Sequence, residues 1–142
     1  MVKLTLERAS AIVEGALAWG RANRCEPLTV AVLDAGGHLV AFKREDESGI
    51  LRPEIATGKA YGALGFGVSS RAIAEKNPEF LAAVSAASQG RMVPVPGGVL
   101  IRDPETGDIL GAVGISGDTS SNDEAAAVAG IDAADLDADT GG

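Results

Sequence analysis

The spacing of apolar and polar positions divides the chain into helices and short strands. Apolar residues recur at three- and four-residue intervals over residues 6–20, which predicts an amphipathic helix capped by Thr5. Residues 28–33 and 38–43 are apolar and β-branched runs on either side of a glycine-rich turn at residues 34–37. This pattern predicts a β-hairpin that follows the first helix.

The middle of the chain is predicted to be helical. Pro53, at a favourable first helical position, begins a helix that continues to Gly67. A short helix capped by Ser69 or Ser70 and a longer helix over residues 79–88 follow. Helices therefore separate the first hairpin from the glycine-rich end of the chain.

Three glycines lie inside the helix that begins at Pro53. Gly58, Gly62 and Gly65 each cost about 0.5–1 kcal/mol relative to alanine in a helix interior. That cost predicts a very close neighbour, which could be a partner helix, a neighbouring subunit or a ligand. We favour the neighbouring subunit.

A glycine-rich stretch near the end predicts a second hairpin. Residues 95–101 and 111–117 flank a cluster of Pro and Gly, and the helix that follows has Ser121 and Glu124 at the spacing of a capping box. A strand that ends in glycine before a helix leaves several backbone N–H groups free, which suits an anion or a polar ligand. Alternatively, the glycines only let backbones pack closely. The residues alone favour neither interpretation.

The order of these elements predicts the fold class. Because the strands come as hairpins with helices before, between and after them, we expect an α+β fold in which helices cover both faces of an antiparallel sheet. Residues 1–134 are expected to form a single domain. Residues 135–142 continue a run of recurring aspartates, and we expect them to be an acidic flexible tail.

Composition narrows the class of partner. The net charge of −8 argues against nucleic acid or an anionic membrane as the main partner. Cys25 is the single cysteine, so the chain has no internal disulfide and fits a reducing compartment. No apolar run approaches the length of a membrane span or resembles a signal peptide. We therefore expect a cytoplasmic protein.

Four stretches of the sequence resemble the GlcG/HbpS-like family, in the order and spacing of that family. The resemblance covers residues 4–134. The stretches are residues 34–42, Arg52-Pro53 with Lys59-Ala60, residues 96–101, and residues 111–117 with Asp123-Glu124.

The resemblance implies a profilin-like α-β-α fold that assembles into homo-oligomers. Some members of the family bind haem, some are described as haem-degrading proteins or haem sensors, and others belong to catabolic pathways. A related domain forms the C-terminal part of PduO-type corrinoid adenosyltransferases. The resemblance therefore suggests haem as the cofactor of this chain.

The first functional hypothesis is a ligand-binding protein, whose ligand is haem, a related tetrapyrrole or a small carboxylated metabolite bound near a subunit interface. Arg52 and Lys59 lie seven residues apart, so they share a helix face from which both can reach a carboxylate or a haem propionate. The alternative for Arg52 is a salt bridge to a nearby acid. The other predicted ligand-binding residues are Gly97, Gly98, Ser116, Gly117 and Asp123.

The second hypothesis is a catabolic enzyme, a lyase, isomerase or hydrolase, that uses acid–base chemistry on a small anionic substrate. Asp34, His38 or Glu124 would carry the proton. His38 is the single histidine, and it could also ligate haem iron or simply face water beside its turn. With one histidine we predict no resident metal site; Mg²⁺ bound by Asp118, Asp123 and Glu124 is the weak alternative.

Overall fold

The computed structural model describes residues 3–141, so residues 1, 2 and 142 of the predicted domain and tail lie outside the described range. Helices and strands follow the predicted order up to residue 133, and an unpredicted strand comes after them. The helices are α1 (Leu6–Ala22), α2 (Arg52–Phe66), α3 (Ser70–Ile73), α4 (Pro78–Ala87) and α5 (Ser120–Ala133), and the strands are β1 (Thr29–Asp34), β2 (Leu39–Arg44), β3 (Gly98–Arg102), β4 (Ile109–Ser116) and β5 (Asp137–Asp139).

The strands form one antiparallel sheet in the order β2-β1-β4-β3-β5. Alternate residues of β1 point to opposite faces: Val30 packs in a cluster with α1 and α5, whereas Leu33 packs against Ala60 and Ala63 of α2. Helices therefore cover both faces, which confirms the predicted α+β fold. Small side chains fill much of this core, as the shortage of aromatic residues requires.

The glycines of α2 contact the chain itself. A Cβ at Gly58 would overlap the side chain of Val93, and a Cβ at Gly62 would lie 2.7 Å from the Cγ of Met92. The Val93 amide also donates to the Gly58 carbonyl at 3.1 Å. The expectation of a neighbouring subunit at these two glycines is thus wrong, because the segment that follows α4 already packs there. At Gly65 a Cβ would meet nothing within 4 Å.

Two element boundaries differ from the sequence prediction. Helix α5 is capped by Thr119, whose side chain accepts from the Asn122 amide at 3.2 Å, so Ser121 lies inside the helix and the predicted capping box is wrong. Strand β3 begins at Gly98 rather than Val95. Proline at position 96 has no N–H to donate to a neighbouring strand, which explains the later start.

The acidic end of the chain is ordered as part of the sheet, where the sequence predicted a flexible tail. Residues 137–139 pair with β3, and Arg102 Nε lies 2.7 Å from Asp139 Oδ2. Leu136 is buried beside this strand. An otherwise unpaired edge of β3 and an arginine on it outweigh the weak strand propensity of aspartate.

No helix in the range 3–141 is long and apolar enough to cross a membrane.

Candidate functional site

Asp34 and His38 form a hydrogen-bonded pair at the tip of the first hairpin. Strand β1 ends at Asp34, and the chain turns through Gly37, which has a φ of 82°. One carboxylate oxygen, Asp34 Oδ1, accepts from the backbone amides of Gly36 at 2.9 Å and His38 at 3.0 Å. The same oxygen lies 3.1 Å from Nδ1 of His38. The tight turn therefore brings the imidazole back onto the carboxylate.

The surroundings of Asp34 keep its carboxylate ionised. Partial burial acts to raise the pKa of Asp34, but the amides of His38 and Gly36 and the His38 side chain together outweigh it, so the pKa lies below its ordinary value. An ionised carboxylate only accepts hydrogen bonds, so Nδ1 of His38 carries the hydrogen of this contact. The other nitrogen, Nε2, is then left for a ligand, on a side chain that is 80% exposed.

This pair lies on the wall of an open cavity of about 680 Å³. Leu4, Ile109 and Leu110 supply apolar surface, and Lys3 supplies a positive charge. The volume falls within the range of small-molecule and cofactor sites. His38 and an apolar wall therefore line the same cavity.

A second group of predicted site residues meets at the other end of the sheet. Lys59 Nζ donates to the Ile115 carbonyl at 2.7 Å and lies 3.2 Å from Asp123 Oδ2. The other oxygen of Asp123 accepts from the Asp118 amide at 2.9 Å. Since α2 and α5 lie on opposite faces of the sheet, this ion pair connects the two helical layers past the end of β4.

The Lys59–Asp123 pair is buried: Lys59 is 2% exposed and Asp123 is 1% exposed. Burial lowers the pKa of Lys59 and raises the pKa of Asp123, in each case toward the neutral form, while the attraction between the two charges opposes it. Every buried side-chain nitrogen and oxygen in the described part of the chain has a hydrogen-bond partner. The contacts of Lys59 and Asp123 therefore form a fully hydrogen-bonded junction that stabilises the fold.

The remaining predicted ligand-binding residues surround this junction. Arg52 Nη1 donates to the buried Ser116 hydroxyl at 3.0 Å, so its partner is a hydroxyl group rather than the salt-bridging acid considered for it. A Cβ at Gly97 would lie 2.8 Å from Lys59 Nζ, and Cβ atoms at Gly98 and Gly117 would overlap backbone oxygens. The glycines thus permit close backbone packing, and a ligand-binding role of the group stays a prediction.

Glu124 is separated from the other two predicted proton carriers. It pairs with Arg71 of α3, with 3.1 Å between Oε2 and Nε. Asp34 pairs in register with Gly111, and β4 then runs to Ser116, a span of about 17 Å at roughly 3.4 Å per residue, before the loop to α5. Asp34 and His38 can therefore take part in one proton-transfer site, whereas Glu124 lies at the opposite end of the sheet.

Asp34 and His38 were predicted from the sequence as alternative proton carriers, but their pairing was not predicted. The signal was present: an Asp followed by two glycines and a His favours a turn in which the carboxylate accepts from the following backbone amides. Within residues 3–141 no group of three or more His, Cys, Asp or Glu side chains is arranged to hold a metal ion.

The layered fold is that of HbpS-like proteins. The family model described as haem degrading protein HbpS-like matches residues 4–132, and the chain belongs to this family. No curated protein matches the chain in sequence.

Solved structures share the fold at low sequence identity. The crystal structure of a PduOC–haem complex is 22% identical with a TM-score of 0.85, covering 95% of this chain and 97% of that one. Protein ORFY of Klebsiella pneumoniae is also 22% identical with a TM-score of 0.85, covering 95% of this chain and 93% of that one. A double mutant of Streptomyces reticuli HbpS is 22% identical with a TM-score of 0.78, covering 93% of this chain and 87% of that one.

Proposed function

We propose that this protein binds haem, or a closely related tetrapyrrole, and that Nε2 of His38 would bind its iron. The observation that carries the proposal is the Asp34–His38 pair on the wall of the 680 Å³ cavity. Membership of the HbpS-like family supports haem as the ligand, and so does the similarity in fold to PduOC, which was crystallised as a haem complex.

The donor chemistry of the pair fits a haem iron. Histidine is a common proximal haem ligand, and a metal-ligating histidine usually donates its other ring N–H to a carboxylate, which fixes the tautomer. Asp34 holds Nδ1 in this way and leaves Nε2 for the iron. Leu4, Ile109 and the neighbouring apolar wall suit the macrocycle, and Lys3 suits a propionate. When bound, the haem supplies the iron chemistry, while the chain binds, orients and shields it.

We further propose that the protein acts in the cytoplasm as a homo-oligomer with its ligand near a contact between copies. Ile50 and Leu51 support a contact between copies, since two large apolar side chains are exposed next to each other immediately before α2. They lie at the Arg52–Ser116 end of the sheet, away from the His38 cavity, so a ligand position near such a contact is proposed from the family resemblance alone. A role in a catabolic pathway is proposed from the family resemblance alone.

A second candidate function is acid–base catalysis on a small anionic substrate. The observation in its favour is again the pair, because a histidine oriented by an ionised carboxylate is also a suitable general base. In this case Lys3 would attract the substrate anion. Glu124 is not part of this candidate centre, because it lies with Arg71 at the other end of the sheet.

A visible-absorption titration with hemin tests the haem proposal. The wild-type protein is expected to give a Soret shift that saturates at a fixed stoichiometry, and His38→Ala is expected to abolish it. Asp34→Asn keeps the shape of the side chain but weakens the orienting hydrogen bond, so hemin affinity should fall by about 10- to 100-fold. Asp108→Asn, on the same cavity wall, is the matched control and should bind hemin as tightly as wild type or more tightly, because it removes only a negative charge.

Either of two results would overturn the haem proposal. One is a featureless titration that does not saturate. The other is a saturating shift that is equally strong in His38→Ala. The first result would leave the acid–base function as the account of the pair, and a screen of small carboxylates by thermal shift would then identify the substrate class.

A further inference from the structure

A groove lies between β2 and α2, and the segment that follows α4 closes it at one side. It shares no lining residue with the His38 cavity. Its volume is about 510 Å³. Leu39, Phe42, Pro53 and Tyr61 give it an apolar lining, and Arg91 and Glu54 are its charged groups. Leu39 is 56% exposed and Phe42 is 37% exposed, so both leave apolar surface open to a ligand in this groove.

Arg91 is the distinctive residue of this groove. Its guanidinium lies over the ring of Tyr61, with 3.8 Å from Cζ to the ring centroid. Among the described residues, this guanidinium has no acid and no hydrogen-bond acceptor within bonding distance, whereas Arg21, Arg52 and Arg102 are each bound to a side-chain acceptor. The Tyr61 ring covers one face of the guanidinium, and the N–H groups at its edge remain available to donate hydrogen bonds.

The backbone that carries Arg91 is held firmly against α2. The Arg91 carbonyl would lie 2.8 Å from a Cβ at Gly58, and the next residue, Met92, is buried against Gly62. Tyr61 is confined from the other side, since a Cβ at Gly37 would lie 3.3 Å from its ring. The arginine and the aromatic ring are therefore positioned before any ligand arrives, which lowers the entropic cost of binding.

We propose that this groove binds a small aromatic carboxylic acid. The planar guanidinium of Arg91 forms two parallel hydrogen bonds with the carboxylate. The aromatic part of the ligand lies against Leu39, Phe42 and Tyr61, whose surfaces are apolar and partly aromatic. The groove volume is within the range for such ligands.

Glu54 restricts the choice of ligand. It is the other charged group of the groove, so a second carboxylate on the ligand would be placed in the same small space as a like charge. We therefore expect the ligand to carry a single carboxylate, which lies at the Arg91 end of the groove. This site does not depend on haem binding at His38.

Calorimetric titration with 1-naphthoate tests the proposal. The wild-type protein should bind 1-naphthoate saturably, and the uncharged 1-naphthalenemethanol should bind about tenfold more weakly or worse. Arg91→Gln should weaken 1-naphthoate binding by about tenfold or more, and Arg91→Lys should recover only part of it, because lysine keeps the charge without the fork. Glu54→Gln, the matched control in the same groove, should bind as tightly as wild type or more tightly.

Two measurements make the result decisive. The thermal midpoint of Arg91→Gln should stay within about 5 °C of that of wild type, because Arg91 is exposed and the substitution removes only its stacking on Tyr61. His38→Ala and the hemin-loaded protein should bind 1-naphthoate like wild type, which separates this site from the proposed haem site. The proposal is overturned by non-saturating binding, by equal binding to wild type and Arg91→Gln, or by displacement of 1-naphthoate by hemin.

Discussion

Single glycines decide how closely α2 approaches the sheet. Gly114 of β4 lies directly beneath this helix, and a Cβ there would overlap the carbonyl oxygen of Ala56. The obstacle is backbone rather than a flexible side chain, so neither partner can move away cheaply. Glycine at position 114 thus follows from the contact between β4 and α2.

Gly114→Ala is expected to lower the free energy of unfolding by about 1–3 kcal/mol, because the added methyl group overpacks the contact with α2. Urea unfolding followed by circular dichroism measures this change. Gly65→Ala is the matched control: it lies in α2 with open space around it, and should change stability in the opposite direction, by no more than about 1 kcal/mol. Equal effects of the two substitutions would contradict the packing account.

At the scale of elements, one buried ion pair connects the two helical layers. Lys59 of α2 and Asp123 of α5 are both buried, and each has a further backbone partner near the end of β4. Removing one partner of a buried pair leaves the other charge without compensation. The neighbouring pair of Glu124 and Arg71 is more exposed, so water already solvates part of each charge.

Asp123→Ala is therefore expected to lower the free energy of unfolding by about 3–5 kcal/mol. Glu124→Ala, one position along the same helix, should cost no more than about 1 kcal/mol. Chemical denaturation of the two variants under identical conditions provides the comparison. If Glu124→Ala cost as much as Asp123→Ala, the buried pair would not be the main connection between the layers.

The last strand is expected to respond to acid. The hydrogen bonds from Arg102 and the Gly141 amide hold the pKa of Asp139 below its ordinary value. A depressed pKa in the folded state means that the stabilisation is present above the ordinary carboxyl pKa and is lost as the pH falls through the folded value. Amide hydrogen exchange should therefore show β5 losing protection at acidic pH before β1 does.

Asp139→Asn provides the control for this pH dependence. It removes the ionisable group, so the protection of β5 should be weaker at neutral pH and should vary less with acid than in wild type. An unchanged acid response in Asp139→Asn would assign the effect to another carboxyl group.

For the whole molecule, the sequence predicted local features well and long-range contacts poorly. Apolar periodicity and turn residues predicted the helices and both hairpins, because these depend on neighbours within a few positions. Nothing local indicated that Lys59 would meet Asp123, or that Asp139 would meet Arg102 across the sheet edge. The flexible-tail prediction was wrong for the same reason, since β5 is stabilised by β3 rather than by its own composition.

In the candidate site, too, local features were predicted from the sequence and long-range contacts were not. His38 and Asp34 were found as residue types beside a turn, but their pairing depends on the backbone of that turn. Arg91 was missed, because its position over Tyr61 requires α2 and the segment after α4 to pack together. The fold then places the hairpin-tip pair and the Lys59–Asp123 junction at opposite ends of one sheet.

The spectrum of hemin-loaded His38→Gly, recorded with and without added imidazole, tests directly whether the His38 side chain binds the iron. If the imidazole of His38 binds the iron, the variant should lose the saturable Soret shift of wild type, and free imidazole should restore it by occupying the vacated space. A His38→Gly variant that binds hemin with the wild-type spectrum, without imidazole, would contradict the proposal that His38 binds the iron.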